Sequence, residues 1–342
     1  MRAKIRALIS AAAFFALCAC GGEAVPAQTV DPDEGMVQVE SGFGTKMWVE
    51  LYEDVPASTF EPSDFLRSGG FINYAGGEFE ALRGIDVSEH QKTINWRSVA
   101  SEGVDFAMIR AGYRGYSQGG LYEDEYFSQN ISGALDNRLE VGVYFFSQAV
   151  TPEEAVEEAE YLLELIRGYD VTLPVVFDWE NIEGDDARTD GLGGTELTDC
   201  AIAFCQRIRQ AGFEPAIYAY RYLAYFRYEL PRLTDYTLWI GAIGDSPDFY
   251  YSHNIWQYSA EGRVSGVDGP VDLNLLFREK QPPAAEAEVP RDTAVAPAPT
   301  PDKDNAAVSG NVSVLLKQGS QSPVSFPSGK IRVLIKQHPV VV

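Results

Sequence analysis

Between residues 82 and 277 of the 342-residue chain, short apolar runs alternate with amphipathic stretches, and this alternation limits the possible folds more than any other feature. It is typical of repeated βα units around a parallel sheet, since each buried strand needs a helix to cover it. About 195 residues of such sequence suit one barrel domain, although they are few for a full TIM barrel. The apolar runs are 83–87, 106–111, 141–146, 173–178, 215–220, 238–242 and 254–258.

The segment after the third run carries the signals of a helix start. Thr151 can cap the helix, Pro152 suits its first turn, and Glu154 stands where a capping box requires an acid. Gly168 is a suitable stop farther along. We therefore expect an α/β protein built as an irregular, TIM-like β/α barrel.

The beginning of the chain has the form of an export signal. Three basic residues precede the apolar run 7–17, which is too short to span a bilayer. The residues that follow resemble a bacterial lipobox, in which Cys20 is lipidated and becomes the new N-terminus. We expect residues 1–19 to be a lipoprotein signal peptide and the protein to be exported and lipid-anchored in the cell envelope. An ordinary secretory signal cleaved nearby is the alternative.

The rest of the chain divides by composition. The alternation at 47–52 predicts a strand, and so we expect a small β-rich N-terminal extension ahead of the barrel. A segment rich in Pro and Ala after the barrel predicts a linker, followed by a tail to which we assign no function. The boundaries are 20–35 for a polar spacer, 36–81 for the extension, 82–278 for the barrel domain, 279–307 for the linker and 308–342 for the tail.

The composition excludes several classes of partner. A net charge of −23 disfavours nucleic acid. With three His residues and no Cys-x-x-Cys, the chain lacks zinc-ligand spacing, so we expect neither a metal nor a cofactor. Cys200 and Cys205 stand five residues apart in a predicted helix, where they face different sides and should pack as small apolar residues. We expect a monomer.

Two acids end the fourth apolar run. Because side chains alternate along a strand, Asp178 and Glu180 share a face, with α-carbons about 6.6 to 6.8 Å apart. The carboxyl ends of barrel strands carry the chemistry in barrel enzymes, and two acids at this separation can address one sugar linkage. The alternative is an acidic pair that merely begins a solvated loop.

Polar and aromatic residues close the other runs as well. Rings stack on sugar faces, while acids protonate a glycosidic oxygen and stabilise an oxocarbenium-like centre. We therefore predict a polysaccharide cleft, with core or rim packing as the alternative for each aromatic residue. The predicted cleft acids are Asp86, Asp178, Glu180 and Asp272, and the predicted binding residues are Arg110, Tyr144, Phe146, Tyr218, Trp239, Gln257, Tyr258 and Asn274.

Taken in order, these motifs resemble those of glycoside hydrolase family 25, the lysozymes of the bacterial and phage muramidase type. The matching motifs are Gly-Ile-Asp-Val-Ser-Glu-His-Gln at 84–91, Phe-Ala-Met-Ile-Arg at 106–110, Gly-Val-Tyr-Phe-Phe at 142–146, Asp-Trp-Glu at 178–180, Ile-Tyr at 217–218, Leu-Trp-Ile at 238–240, Ile-Trp-Gln-Tyr at 255–258 and Val-Asp-Leu-Asn at 271–274.

The resemblance implies a barrel of five βα units plus further strands, and hydrolysis of the β-1,4 bond between N-acetylmuramic acid and N-acetylglucosamine in peptidoglycan. It assigns the general acid to Glu180 and the group that assists the anomeric centre, or orients the acetamido group, to Asp178. It leaves open a covalent intermediate, an inverting water or attack by the substrate's own acetamide. Two residues depart from the family pattern: many members carry His at the position of Phe145, and a polar or aromatic residue is commoner at that of Ile243. These departures affect the prediction of subsites only.

Two rival functions remain at this point. The barrel could be a catalytically silent peptidoglycan-binding scaffold, although the presence of all four cleft acids argues against it. It could also be a chitinase-like glycosidase, since family 18 chitinases place an Asp-x-Glu pair on a barrel strand.

Overall fold

The computed structural model describes residues 30–31, 35–40 and 46–280. The strands are β1 (Val30–Asp31), β2 (Met36–Glu40), β3 (Lys46–Glu50), β4 (Phe65–Ser68), β5 (Phe71–Tyr74), β6 (Phe79–Val87), β7 (Phe106–Arg114), β8 (Leu121–Glu123), β9 (Glu140–Phe146), β10 (Val175–Asp178), β11 (Pro215–Tyr220), β12 (Thr237–Gly241), β13 (Ile255–Gly262) and β14 (Val271–Glu279). The helices are α1 (Trp96–Ser101), α2 (Phe127–Asp136), α3 (Pro152–Leu165), α4 (Gly194–Gln210) and α5 (Arg221–Arg227).

Eight strands form a closed barrel. The order is β6-β14-β13-β12-β11-β10-β9-β7, and pairing of β6 with β7 closes the ring. All neighbours run parallel except β14, which is antiparallel to both β13 and β6. An α-helix follows each of β6, β9, β10 and β11 before the next strand, and β7 reaches α2 through the hairpin strand β8. The predicted barrel of five βα units plus further strands is confirmed.

Alternating side chains fill the inside of the barrel. Gly84 on β6 leaves the room that the neighbouring strand needs, because a Cβ there would lie 2.2 Å from the Phe106 ring. The opposite faces of the strands pack beneath the helices, as Phe177 does against Phe204 of α4. The interior set comprises Leu82, Phe106, Met108, Tyr144, Leu173, Val176, Ala216, Tyr218, Trp239, Ile255 and Leu276.

Helix α3 begins where the sequence predicts. Thr151 accepts a hydrogen bond from the Glu154 backbone N–H at 3.3 Å, and Pro152 is the first helical residue. The Glu154 carboxylate accepts from the Val150 backbone N–H at 2.9 Å, one residue ahead of the position that a capping box uses. Gly168 follows the helix with φ of +87°, a conformation suited to glycine.

The N-terminal extension consists of the sheet β1–β3 and the hairpin β4–β5. The hairpin packs on the outside of the barrel, where Phe65 lies 5.1 Å from Trp256 between ring centroids. Strand β6 begins at Phe79, three residues ahead of the predicted boundary, and β14 continues to Glu279, one residue into the predicted linker. Strand β1 lies within the predicted spacer, so part of that segment belongs to the N-terminal sheet.

Several predictions concern other parts of the chain. The signal peptide 1–19, Cys20, most of the spacer, residues 281–307 of the linker and the tail 308–342 lie outside the described residues. Among the residues that are described, no helix combines the length and apolar character needed to cross a bilayer. Cys200 and Cys205 are buried free thiols in α4, which confirms their prediction as packing residues.

Candidate active site

The four predicted cleft acids meet at one end of the barrel. Asp86 lies near the carboxyl end of β6, Asp178 ends β10, and Glu180 follows two residues later. Because β14 is antiparallel, its second residue, Asp272, lies at the same end, directly opposite Asp86 in the strand register. The barrel closure therefore gathers carboxyl groups that are far apart in the sequence.

Asp86 is held by a network of hydrogen bonds inside the barrel. One oxygen, Oδ2, accepts from Gln257 Nε2 at 3.0 Å and from Asn274 Nδ2 at 2.7 Å. The Trp239 indole donates to Asn274 Oδ1 at 2.9 Å, and the Tyr218 hydroxyl donates to Gln257 Oε1 at 2.8 Å. Burial raises the pKa of Asp86, but these donors oppose the rise because they stabilise its ionised form.

Asp272 is the hydrogen-bonding partner of Asp86. Burial raises the pKa of Asp272 well above its usual range, and the charge of Asp86 and the hydrogen bond between the two carboxyl groups raise it further. The same hydrogen bond lowers the pKa of Asp86. The shared hydrogen bond therefore favours the protonated form of Asp272 and the ionised form of Asp86.

Asp178 is almost fully enclosed, with 4% of its surface exposed. Its Oδ1 has no hydrogen-bond partner among the described residues. Burial raises the pKa of Asp178 well above its usual range, the charges of Glu180 and Asp86 raise it further, and the Arg110 guanidinium lowers it. Oδ1 is thus a buried oxygen without a partner, which makes this carboxyl group a candidate for contact with a substrate.

Glu180 is partly exposed at the mouth of the barrel. Burial raises the pKa of Glu180 to about 7, with further contributions from the charges of Asp86 and Glu183. Each of these influences favours the protonated form, whereas Asp178 has Arg110 to favour its ionised form. Arg110 therefore distinguishes Asp178 from Glu180, although burial and the neighbouring charges outweigh it and keep the pKa of Asp178 well above its usual range.

The predicted binding residues on strands β7 and β9 line the same region. Phe146 is the register neighbour of Asp178, and Tyr144 is the register neighbour of Arg110. Arg110 is itself engaged, since its Nε donates to Asp124 at 2.7 Å and its Nη2 lies 3.1 Å from a Glu89 carboxylate oxygen.

Tyr218, Trp239, Gln257 and Asn274 lie deeper, below the cleft. The Tyr218 and Trp239 rings are 4.8 Å apart and only 6% and 2% exposed. In this structure the four residues support Asp86, as the network above shows, and their contact with a substrate stays a prediction.

Tyr258 does not face the cleft, contrary to the prediction. It follows Gln257 in β13, and successive strand residues point to opposite faces. Its ring lies outside the barrel, 5.4 Å from Trp256, and its hydroxyl accepts from the Ile72 backbone N–H at 3.4 Å. Tyr258 therefore anchors the β4–β5 hairpin to the barrel.

Sequence reasoning missed two residues that shape the site. Asp124, 1% exposed, accepts from Arg110 and from the Glu89 backbone N–H at 2.9 Å, and nothing in its local sequence indicates this role. Gly241 leaves space for the Tyr218 hydroxyl, which donates to Gln257, because a Cβ at position 241 would lie 2.6 Å from that hydroxyl. A glycine ending an apolar strand was the available signal. Within the described residues, His, Cys, Asp and Glu form no group of three or more that could hold a metal ion.

The chain is similar to known proteins over the barrel domain. The profile of the family described as "Glycosyl hydrolases family 25" matches residues 85–267. Lysozyme M1 of Streptomyces globisporus is 29% identical over 285 residues, which are 78% of this chain and 87% of that protein. The autolytic lysozyme of Clostridium acetobutylicum is 26% identical over 56% of this chain and 55% of its own length, so the match spans about half of that relative.

A solved structure supports the fold. The modular autolysin LytC of Streptococcus pneumoniae superimposes with a TM-score of 0.52 at 23% sequence identity, over 74% of this chain and 58% of that one. The family match, which includes both central acids, covers more than half of the 342 residues. The chain therefore belongs to glycosyl hydrolase family 25.

Proposed function

We propose that the protein is a muramidase that hydrolyses the β-1,4 bond between N-acetylmuramic acid and N-acetylglucosamine in peptidoglycan. The observation that carries the proposal is the pair Glu180 and Asp178 at the end of β10, with the charge of Asp86 acting on both and Arg110 acting on Asp178. The naming of its relatives as lysozymes supports the same substrate.

In this proposal Glu180 is the general acid. With a pKa of about 7 it keeps its proton in mildly acidic medium and can deliver it to the glycosidic oxygen as the bond breaks. Asp178, in the ionised form that Arg110 favours, assists the positive charge that develops at the anomeric carbon or orients the acetamido group. After burial, the negative charge of Asp86 is the largest influence that raises the pKa of Glu180.

Product analysis tests this function directly. Purified peptidoglycan and chitin are incubated with the wild-type protein, and soluble fragments are identified by mass spectrometry. A muramidase releases fragments with muramic acid at the reducing end and leaves chitin intact. Release of chitin oligosaccharides would favour the chitinase-like alternative, and binding without release of fragments would favour the silent scaffold.

Replacing Asp86 with Asn is expected to move the alkaline limb of the kcat/KM-against-pH profile to lower pH. The charge of Asp86 raises the pKa of Glu180, so its removal lowers that pKa. Because the acid must be protonated, activity is then lost at a lower pH than in the wild type, whose limb should lie near pH 7. The measurement is kcat/KM against pH on soluble peptidoglycan fragments.

The matched comparison is Glu183→Gln. Glu183 is an exposed loop residue whose charge also raises the pKa of Glu180, but less than Asp86 does. The Glu183→Gln variant should also shift the alkaline limb to lower pH, but by a smaller amount than Asp86→Asn. An unchanged or upward-shifted limb in Asp86→Asn would show that Asp86 does not govern the proton of Glu180.

We also propose that the protein acts as an exported monomer tethered by a lipid at Cys20. The basic start, short apolar run and lipobox-like sequence support the anchor. Cys20→Ser should release the protein from membranes into the soluble fraction, whereas Cys18→Ser should leave it in the membrane fraction. Immunoblots of the two fractions check this, and the reverse pattern would place the lipidated cysteine at position 18.

A further inference from the structure

The position of Glu180 is fixed from outside its own strand. Strand β10 ends at Asp178, and Glu180 lies two residues farther on. On the neighbouring strand, β9 ends at Phe146. Beyond both ends the pairing continues through other groups: the Ser147 N–H donates to the Asp178 carbonyl at 2.6 Å, and Gln148 Nε2 donates to the Glu180 carbonyl at 3.2 Å. A side-chain amide thus replaces the missing strand partner of the acid.

Gln148 is fully buried, and all its polar groups are engaged. Its Oε1 accepts from the Thr189 hydroxyl at 2.8 Å, and its backbone carbonyl accepts from Arg188 Nη1 at 3.1 Å. Its backbone N–H donates to Glu158 Oε1 at 3.3 Å. Since the Glu180 carbonyl can only accept, the amide nitrogen must face it, and Thr189 holds the other end of the amide in place.

Glu158, which accepts from the Gln148 backbone N–H, is itself held by Arg114. Glu158 is 0% exposed and accepts from Arg114 Nε at 2.7 Å. Arg114 in turn donates to the Gly119 and Glu154 carbonyls at 2.8 and 2.9 Å. Helix α3 and strand β7 therefore hold Gln148, and Gln148 holds the loop that carries Glu180.

We propose that Gln148 is a positioning residue for catalysis, which fixes the backbone of Glu180 so that its carboxyl group points into the cleft. The inference rests on the proposed function, and no contact with substrate is assigned to Gln148. A neutral amide suits the place, because it donates to one carbonyl and accepts from one hydroxyl without adding charge beneath the acids.

The test compares Gln148→Met, which keeps the length of the side chain but removes the donor, with Thr198→Val. Thr198 is also fully buried. It donates to the Gly194 carbonyl at 2.7 Å and accepts from the Glu229 backbone N–H at 3.0 Å, so neither of these hydrogen bonds involves Gln148 or Glu180. Gln148→Met should lower kcat ~10- to 100-fold with KM changed less than ~2-fold, because a misplaced catalytic group loses rate rather than binding. Its alkaline limb should also move to lower pH, since a loosened Glu180 is better hydrated. Thr198→Val should leave both kcat and the alkaline limb unchanged.

A second measurement does not depend on enzymatic activity. Backbone hydrogen exchange of residues 179–192 in the free protein should rise at least ~10-fold in Gln148→Met and stay at the wild-type rate in Thr198→Val. If Gln148→Met does not fold, Thr189→Val, which loses the donor to Oε1, and Thr189→Ser, which keeps it, serve instead. We then expect faster exchange and lower kcat in the Val variant, and recovery in the Ser variant.

The outcomes are distinguishable. Wild-type protein without activity on peptidoglycan would refute the proposed function, while exchange in 179–192 would still decide the role of Gln148. Active wild-type protein together with an unchanged kcat, pH limb and exchange in Gln148→Met would refute the inference alone. So would a loss of kcat in Thr198→Val equal to that in Gln148→Met.

Discussion

Glu180→Gln is expected to lower kcat on peptidoglycan by ~10² to 10⁴, the usual contribution of a positioned general acid. Gln has the shape of Glu but no proton to deliver to the glycosidic oxygen. The fold should persist, because the change removes a carboxyl group whose pKa burial and neighbouring charges raise to about 7. Steady-state kinetics and thermal unfolding on the same preparation check both parts.

Glu183→Gln is the control for this variant. It removes a carboxyl group three residues away, on the exposed loop, and should keep most of the wild-type kcat at its own pH optimum. A Glu180→Gln protein that retains more than half of the wild-type turnover would assign the general acid elsewhere.

Much of the barrel is predictable from the sequence because its strands are buried on both faces. The predicted run 215–220 coincides with β11, and the run 141–146 lacks only the first residue of β9. Parallel strands place their carboxyl ends at one end of a barrel, so acids that close the runs meet there. Strand β14 runs in the opposite direction, so its start, not its end, lies at this end of the barrel. Asp272 stands at that start and therefore joins the other acids.

The contacts within the site are less predictable. Asp86 is bonded to Gln257 and Asn274, which are 171 and 188 residues away along the chain, and no local pattern encodes such a partnership. The wrong prediction for Tyr258 has a simpler cause. Strand alternation allows either Gln257 or Tyr258 to face the interior, and the hydrogen bond to Asp86 selects Gln257.

The position of Glu180 shows where strand geometry stops being a guide. The sequence places Asp178 and Glu180 on one face if the strand continues, but β10 ends at Asp178. The backbone of Glu180 is instead held by Gln148, which follows the end of β9 and donates to the Glu180 carbonyl. Thr189, farther along the loop of Glu180, holds the Gln148 amide in turn. Side-chain hydrogen bonds of this kind follow from the packed structure and have no sequence period.

Asp178→Asn is expected to abolish most activity and, at the same time, to stabilise the fold at neutral and alkaline pH. The activity should fall ~10²-fold or more, because Asn cannot ionise and so cannot supply the charge that assists the anomeric centre. The stability gain arises because Asp178 is buried beside other acids, and in the folded protein its pKa is raised well above that of the unfolded chain, first by burial and then by Glu180 and Asp86.

The sign of the pH dependence follows from proton linkage. Well below the unfolded pKa of about 3.9, Asp178 is protonated in both states, so its ionisation adds no instability there. As pH rises above its unfolded pKa, the unfolded chain releases the proton while the folded protein retains it, and wild-type stability falls by ~1.4 kcal/mol for each pKa unit between the two states. Asn cannot ionise, so the advantage of the variant should be small at pH 4 and should grow up to the folded pKa.

Urea unfolding of both proteins at pH 4, 6 and 8 measures this difference. Glu183→Gln again serves as the control, since an exposed carboxyl group should give nearly the same stability as wild type at all three values. If the free energy of unfolding of Asp178→Asn differs from that of wild type by the same amount at pH 4 and pH 8, Asp178 ionises in the folded protein as easily as in water. The cleft would then be well hydrated, and the raised pKa of Glu180 would need a source other than burial, because the two carboxyl groups share one enclosure.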